Sequence, residues 1–243
     1  GAEGSARRRV GWFLPHRDWL GAEVGNWYAT LVSGSGAAAA PWLDGANLAR
    51  DVSEGGALQA ALLRSSVPAW LGDVLLNSLH HTRTAMWVPP NATLRGTEVD
   101  GGGGGGLSRW RAWEAFDCVN VDSVHNDGER HVPYMLLWPE GVVSKMRAWA
   151  AGANMSTGMI QEELGTGRGC TTTPPPYLDQ YSGREMGDVS SMFLVYLLEL
   201  WRWTADEPLL RELWPAAKGA AEWQIARAAA DGLPSTLFAT YGT

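Results

Sequence analysis

The sequence predicts a mainly α-helical protein of stacked helical hairpins, an α/α toroid or solenoid, entered through the last strands of a β-domain. Three observations carry that expectation. Beyond about residue 57 the apolar residues recur at helical spacing. From Ser190 to Trp203 the chain is apolar nearly all round, with only Glu199 and Arg202 charged, so this helix is expected to be buried on both sides. Leu137-Trp138-Pro139 returns as Leu213-Trp214-Pro215, 76 residues later, about two helical hairpins on. An irregular α-bundle is the competing architecture for the same helices.

The elements follow in order. Val10–Leu14 is a short apolar run and Trp27–Val32 is bulky and β-favouring, with turn residues Gly21, Gly25 and Asn26 between them. Two strands make no stable sheet alone, so residues 1–32 are assigned to the end of a β-domain. Residues 33–56 begin with Gly, Ser and Ala and read as a linker or the start of a connecting helix; residues 57–243 form the helical domain. Pro68 opens a helix with Val67, Leu71, Leu75 and Leu79 at four-residue spacing and Trp70 and Val74 beside them. Gly101–Gly106 reads as an insert in a surface loop. Pro133 is expected to open a helix through Trp138, Pro139 to punctuate it, and Glu140–Ala150 to continue as a second helix. Thr171–Pro176 is a loop. Asp206, ahead of Glu207-Pro208, has the form of an N-cap.

Composition narrows the function classes. With 45% hydrophobic and 19% charged residues over 243 positions, the chain can bury a substantial core. A net charge of −7 argues against a nucleic-acid partner, which requires a basic surface. No run of about 20 apolar residues exists for a transmembrane helix. The opening segment is too short in apolar residues for a signal peptide, and the absence of an initial Met suggests a piece of something longer. A cytoplasmic location, or one peripheral to a membrane, is favoured. Cys118 and Cys170 lack metal or redox spacing and are read as free thiols, with a single bridge as the alternative. Fourteen Trp stand beside six Tyr and four Phe. Trp138, Trp149, Trp201, Trp203, Trp214 and Trp223 fall at helical packing positions; Trp113 is suited to stacking on a ligand.

The densest polar segment is Trp113-Glu114-Ala115-Phe116-Asp117-Cys118-Val119-Asn120-Val121-Asp122-Ser123-Val124-His125-Asn126-Asp127. Carboxylates beside Trp are how a protein raises the pKa of one acid and leaves another ionised; a solvated acidic loop or a set of helix caps is the plainer alternative. Gln161-Glu162-Glu163 is a second cluster, with an exposed helix end as its plain reading. Asp188 stands where it could cap the buried helix. His125, Asp127, Glu129 and His131 lack HExxH or HxH spacing and are read as a solvated turn rather than metal ligands.

In order along the chain, the following segments resemble glycoside hydrolase family 116, the group of non-lysosomal glucosylceramidases and microbial β-glucosidases: Gly25-Asn26-Trp27-Tyr28-Ala29-Thr30; Val67-Pro68-Ala69-Trp70-Leu71 leading to Asn77-Ser78-Leu79; Trp113-Glu114-Ala115-Phe116-Asp117 with Val124-His125; Leu136-Leu137-Trp138-Pro139-Glu140; Met159-Ile160-Gln161-Glu162-Glu163-Leu164-Gly165; Asp188 before Met192-Phe193; Leu213-Trp214-Pro215; and Asp231-Gly232-Leu233-Pro234. The resemblance runs from about residue 10 to the end. It implies an N-terminal β-sandwich, of which residues 1–32 would be the last strands, joined to an (α/α)6 toroid, of which residues 57–243 would be the first half. Half a toroid would leave inner helices bare on one side. The resemblance also implies a retaining β-glycosidase acting on a carbohydrate or glycolipid without a cofactor or metal. On this resemblance Glu114 is the nucleophile, Asp122-Ser123 stands where the family aspartate holds the sugar, and Trp113, Asp117, His125, Glu162, Glu163 and Asp188 are substrate-binding. Glu162-Glu163 replaces a family His-Asp pair, so these positions accept hydrogen bonds from sugar hydroxyls but do not donate as His does. The family acid/base is an Asp after Thr-Tyr; here Thr240-Tyr241 is followed by Gly242, so the Asp lies past this chain or is lost. A degenerate sugar-binding relative and an inverting toroid glycosidase are the alternatives.

Overall fold

The computed structural model describes residues 16–19, 22–25, 34, 36, 40, 45–78, 86–87, 111–112, 122–154, 156–162 and 187–228. Over these residues the fold is mainly α-helical. Two short antiparallel ribbons accompany the helices: β1 (His16–Trp19) with β2 (Ala22–Gly25), and β3 (Met86–Trp87) with β4 (Arg111–Ala112). The first pairs His16 with Gly25 and Trp19 with Ala22. Both strands thus lie between the two runs expected to be strands, in the stretch read as turn. Val10–Leu14 and Trp27–Val32 lie outside the described residues, as do Cys118 and Cys170.

Six helices follow: α1 (Gly45–Leu63), α2 (Ala69–Ser78), α3 (Gly128–Leu137), α4 (Pro139–Ala151), α5 (Gly187–Thr204) and α6 (Glu207–Ala226). α1 begins well before residue 57, at Gly45, within the stretch read as a linker. α2 starts just after Pro68 and buries Leu75, but Trp70 is 67% exposed and Val74 50%. α3 begins at Gly128, so Pro133 lies inside the helix instead of opening it. A 3-10 turn over His125–Asp127 leads directly into that helix and shifts its start upstream. The break falls at Trp138, with φ −155° and ψ 64°, and Pro139 then takes the first turn of α4, where a missing N–H costs nothing. Asp206 caps α6 as expected, its Oδ1 accepting from the Leu209 N–H at 2.9 Å.

The two Leu-Trp-Pro triplets are not equivalent. The first spans a helix break, whereas Pro215 sits within α6 and Trp214 is 58% exposed; capping by Asp206 and the early Pro208 have already set that helix's start. Trp203 is also exposed, whereas Trp149 and Trp223 are buried.

The core is one cluster shared by α3, α4, α5 and α6: Val124, Tyr134, Val142, Met146, Trp149, Ile160, Phe193, Tyr196, Leu200, Leu209 and Leu213 are among its members. α5 packs on α3, α4 and α6 and buries Val189, Phe193, Tyr196, Leu197 and Leu200, while Val195 and Leu198 remain exposed. It is therefore buried on one side, not both, because its packed neighbours cover a single face. α6 packs closely on the turn that follows α4, where Gly219 meets Gly158. Gly158 has φ +81°, and a Cβ there would collide with the Gly219 carbonyl.

Candidate functional site

The Asp122–Asp127 turn is held above the α4 face. Val142, Lys145, Met146 and Trp149 follow helical spacing and point into the core. Lys145 is wholly buried on this stripe. Its Nζ donates to Asp127 Oδ1 at 2.6 Å and lies 3.6 Å from Asp122 Oδ1. One turn further, Trp149 Nε1 donates to the Asp122 carbonyl at 2.7 Å. Asp122 has φ +47°, a left-handed conformation that Asp tolerates better than most residues. Two further bonds fix it: its N–H donates to the Ala112 carbonyl at 2.9 Å, and its Oδ1 accepts from the Ala112 N–H at 2.9 Å. The turn is thus fastened to β4 on one side and α4 on the other.

Beyond Asp122, the Val124 N–H donates to the Glu162 carbonyl at 2.8 Å, and Tyr196 Oη of α5 donates to the Val124 carbonyl at 3.1 Å. His125 Nδ1 stands 3.8 Å from Glu162 Oε1, with both side chains more than nine-tenths buried. The segment carrying Glu162 is positioned by α5, since Ser190 Oγ accepts from the Ile160 N–H at 3.1 Å. Asp188 lies in the first turn of α5.

Electrostatics follow from burial and these partners. Burial lowers the His125 imidazole below its ordinary 6.5, with the charge of Asp188 pulling the other way. For Asp127, burial pushes the carboxyl up, but Lys145, Arg130 and His131 outweigh it and hold it below the usual carboxylate range. Asp127 is thus not a raised acid, because a buried ammonium sits on it. His131 stacks on Tyr196 with ring centroids 4.2 Å apart, and burial lowers it to about 4, with smaller contributions from Asp127 upward and Lys145 downward. Tyr134 and Tyr196 are raised, chiefly by burial.

Asp127 and His131 are each only 1% exposed, so the solvated turn expected of this segment is a buried one. Its polar side chains are packed by apolar Val124, Tyr134 and Tyr196. Among the described residues no three His, Cys, Asp or Glu side chains are grouped to hold a metal. Ser123 Oγ, Asn126 Nδ2 and Asp127 Oδ2 are buried and have no hydrogen-bond partner among the described residues. Buried polar atoms of this kind cost about 1–3 kcal/mol each when left unpaired.

Of the residues expected to bind substrate, Asp122, Ser123, His125 and Glu162 are brought together, and Asp188 is near enough to act on His125. Trp113, Glu114, Asp117 and Glu163 lie outside the described residues. The sequence reading overlooked Lys145, although a charged residue on the Val142–Met146–Trp149 stripe is itself a signal.

Comparison with protein-family models finds no match. Nor does any curated protein match the chain.

Proposed function

We propose that the chain is part of a retaining β-glycosidase of the family 116 type, acting on a β-glucoside or glucosylceramide. The observation that carries this reading is the double hydrogen bond between Asp122 and Ala112. Ala112 immediately precedes Trp113-Glu114 in the sequence, so the aspartate matched to sugar holding is bonded to the residue that leads into the segment matched to the nucleophile. The meeting of His125 with Glu162, 37 residues apart in sequence, and the unsatisfied polar atoms at Ser123, Asn126 and Asp127 support the same reading.

In this mechanism Glu114 attacks the anomeric carbon to form a glycosyl-enzyme and a second carboxyl group protonates the leaving oxygen, then activates water. Asp122 and Glu162 accept hydrogen bonds from sugar hydroxyls, and Trp113 offers a stacking face. The same proposal includes an (α/α)6 toroid following a β-sandwich, and a location in the cytoplasm or at a membrane surface. Among the described residues no helix is long and apolar enough to cross a membrane.

Glu162-Glu163 in place of His-Asp favours a second reading, a non-catalytic sugar-binding relative. Hydrolysis of 2,4-dinitrophenyl β-glucoside, whose leaving group needs no proton donor, separates the two. Appearance of β-glucose as the first product, followed by NMR, supports retention; α-glucose indicates inversion, and no turnover with retained sugar binding supports the second reading.

A further inference from the structure

We infer that Lys145 is a positioning residue, a staple that ties both ends of the Asp122–Asp127 turn to α4 and so sets where Asp122, Ser123 and His125 stand. This deepens the glycosidase reading and rests on it for the meaning of those three residues, but the stapling itself is independent of it. The geometry is specific. A single wholly buried ammonium contacts the carboxylate that opens the turn, at 3.6 Å, and the one that closes it, at 2.6 Å. Arg130 Nε lies 3.8 Å from Asp127 Oδ1, so two cations face two carboxylates and the group is neutral overall. Trp149, one helical turn from Lys145, grips the Asp122 carbonyl at 2.7 Å, and the lysine lies 5.4 Å over the Tyr134 ring.

Lys145 spans the six residues of the turn, within which stand Ser123 Oγ and Asn126 Nδ2, buried and with no hydrogen-bond partner among the described residues, and His125 against Glu162. Side chains so placed are useful only if the turn does not drift, since a misplacement of about 1 Å at a reacting site costs roughly 10²-fold.

The test uses the full chain and three variants: Lys145→Met, the double variant Lys145→Met/Asp127→Asn, and Met146→Ala as a buried control on the same helix. The double variant removes one charge of each sign, keeping the charge balance without the staple, and reports if the single variant does not fold. Two readouts are followed, the NMR titration midpoint of the His125 ring and the affinity for 1-deoxynojirimycin. Stapling predicts that the His125 midpoint rises toward 6.5 in the lysine variants, as the freed turn admits water, while Met146→Ala leaves it in place. It predicts an affinity loss of about tenfold or more in Lys145→Met, which keeps every carboxylate, and none in Met146→Ala. An unchanged His125 midpoint in the double variant, or an equal shift in Met146→Ala, overturns it. If the unmodified chain binds no iminosugar, the His125 midpoint alone decides the staple, and the labelling of Glu114 decides the glycosidase reading.

Discussion

His131 gives a quantitative prediction for the pH dependence of folding. The ring is 1% exposed, stacked on Tyr196 and lowered to about 4, chiefly by burial. Glu199 Oε2 lies 3.6 Å away, but that carboxylate is partly open to solvent and its pull is screened. Above pH 6.5 the imidazole is neutral both folded and unfolded, so it contributes no pH dependence. Between 6.5 and about 4 the unfolded ring takes a proton that the folded ring refuses, and stability falls with falling pH. The displacement from 6.5 to about 4 corresponds to about 3 kcal/mol, at roughly 1.4 kcal/mol for each pH unit. Urea unfolding followed by tryptophan fluorescence should therefore show the parent losing about 3 kcal/mol more than His131→Phe between pH 7 and pH 4. Phe keeps the stacking, and His125, lowered in the same direction, remains in both proteins and cancels from the difference. Parallel pH profiles for the two proteins would refute the reasoning.

Gly158→Ala should destabilise by about 2 kcal/mol or more, from its φ of +81° and the collision with Gly219. Gly55→Ala, in α1 with nothing within 4 Å of the new methyl, should instead stabilise by about 0.5–1 kcal/mol, and thermal melts of the pair check both signs. Asp206→Ala removes the cap on α6 and should cost about 1 kcal/mol by urea titration. Trp149→Phe removes the donor to the Asp122 carbonyl; the same titration should register about 1–3 kcal/mol for the orphaned buried carbonyl.

The helices were legible because their apolar spacing is strong. Pro139 and Asp206 also act locally, through a missing N–H and a side-chain acceptor, so they marked their helix starts correctly. Pro133 misled because the Asp127-to-Lys145 contact and the preceding 3-10 turn carry α3 past it, a tertiary effect invisible to local punctuation. The Leu-Trp-Pro echo failed for a related reason, since identical triplets take opposite roles once an upstream cap has set the helix start. At the site, the polar segment itself was legible. Its burial was not, because the cation that permits it comes from α4, and a sequence reading that treats charge as solvent-facing looks away from Lys145.

The central claim, a covalent glycosidase, is tested most directly at Glu114. Incubation with 2,4-dinitrophenyl 2-deoxy-2-fluoro-β-glucoside, followed by peptide mass spectrometry, should place the fluoroglucosyl group on the peptide carrying Glu114, and Glu114→Gln should abolish the label. Label on another carboxylate, or turnover of the parent glucoside with no label at all, would contradict the account.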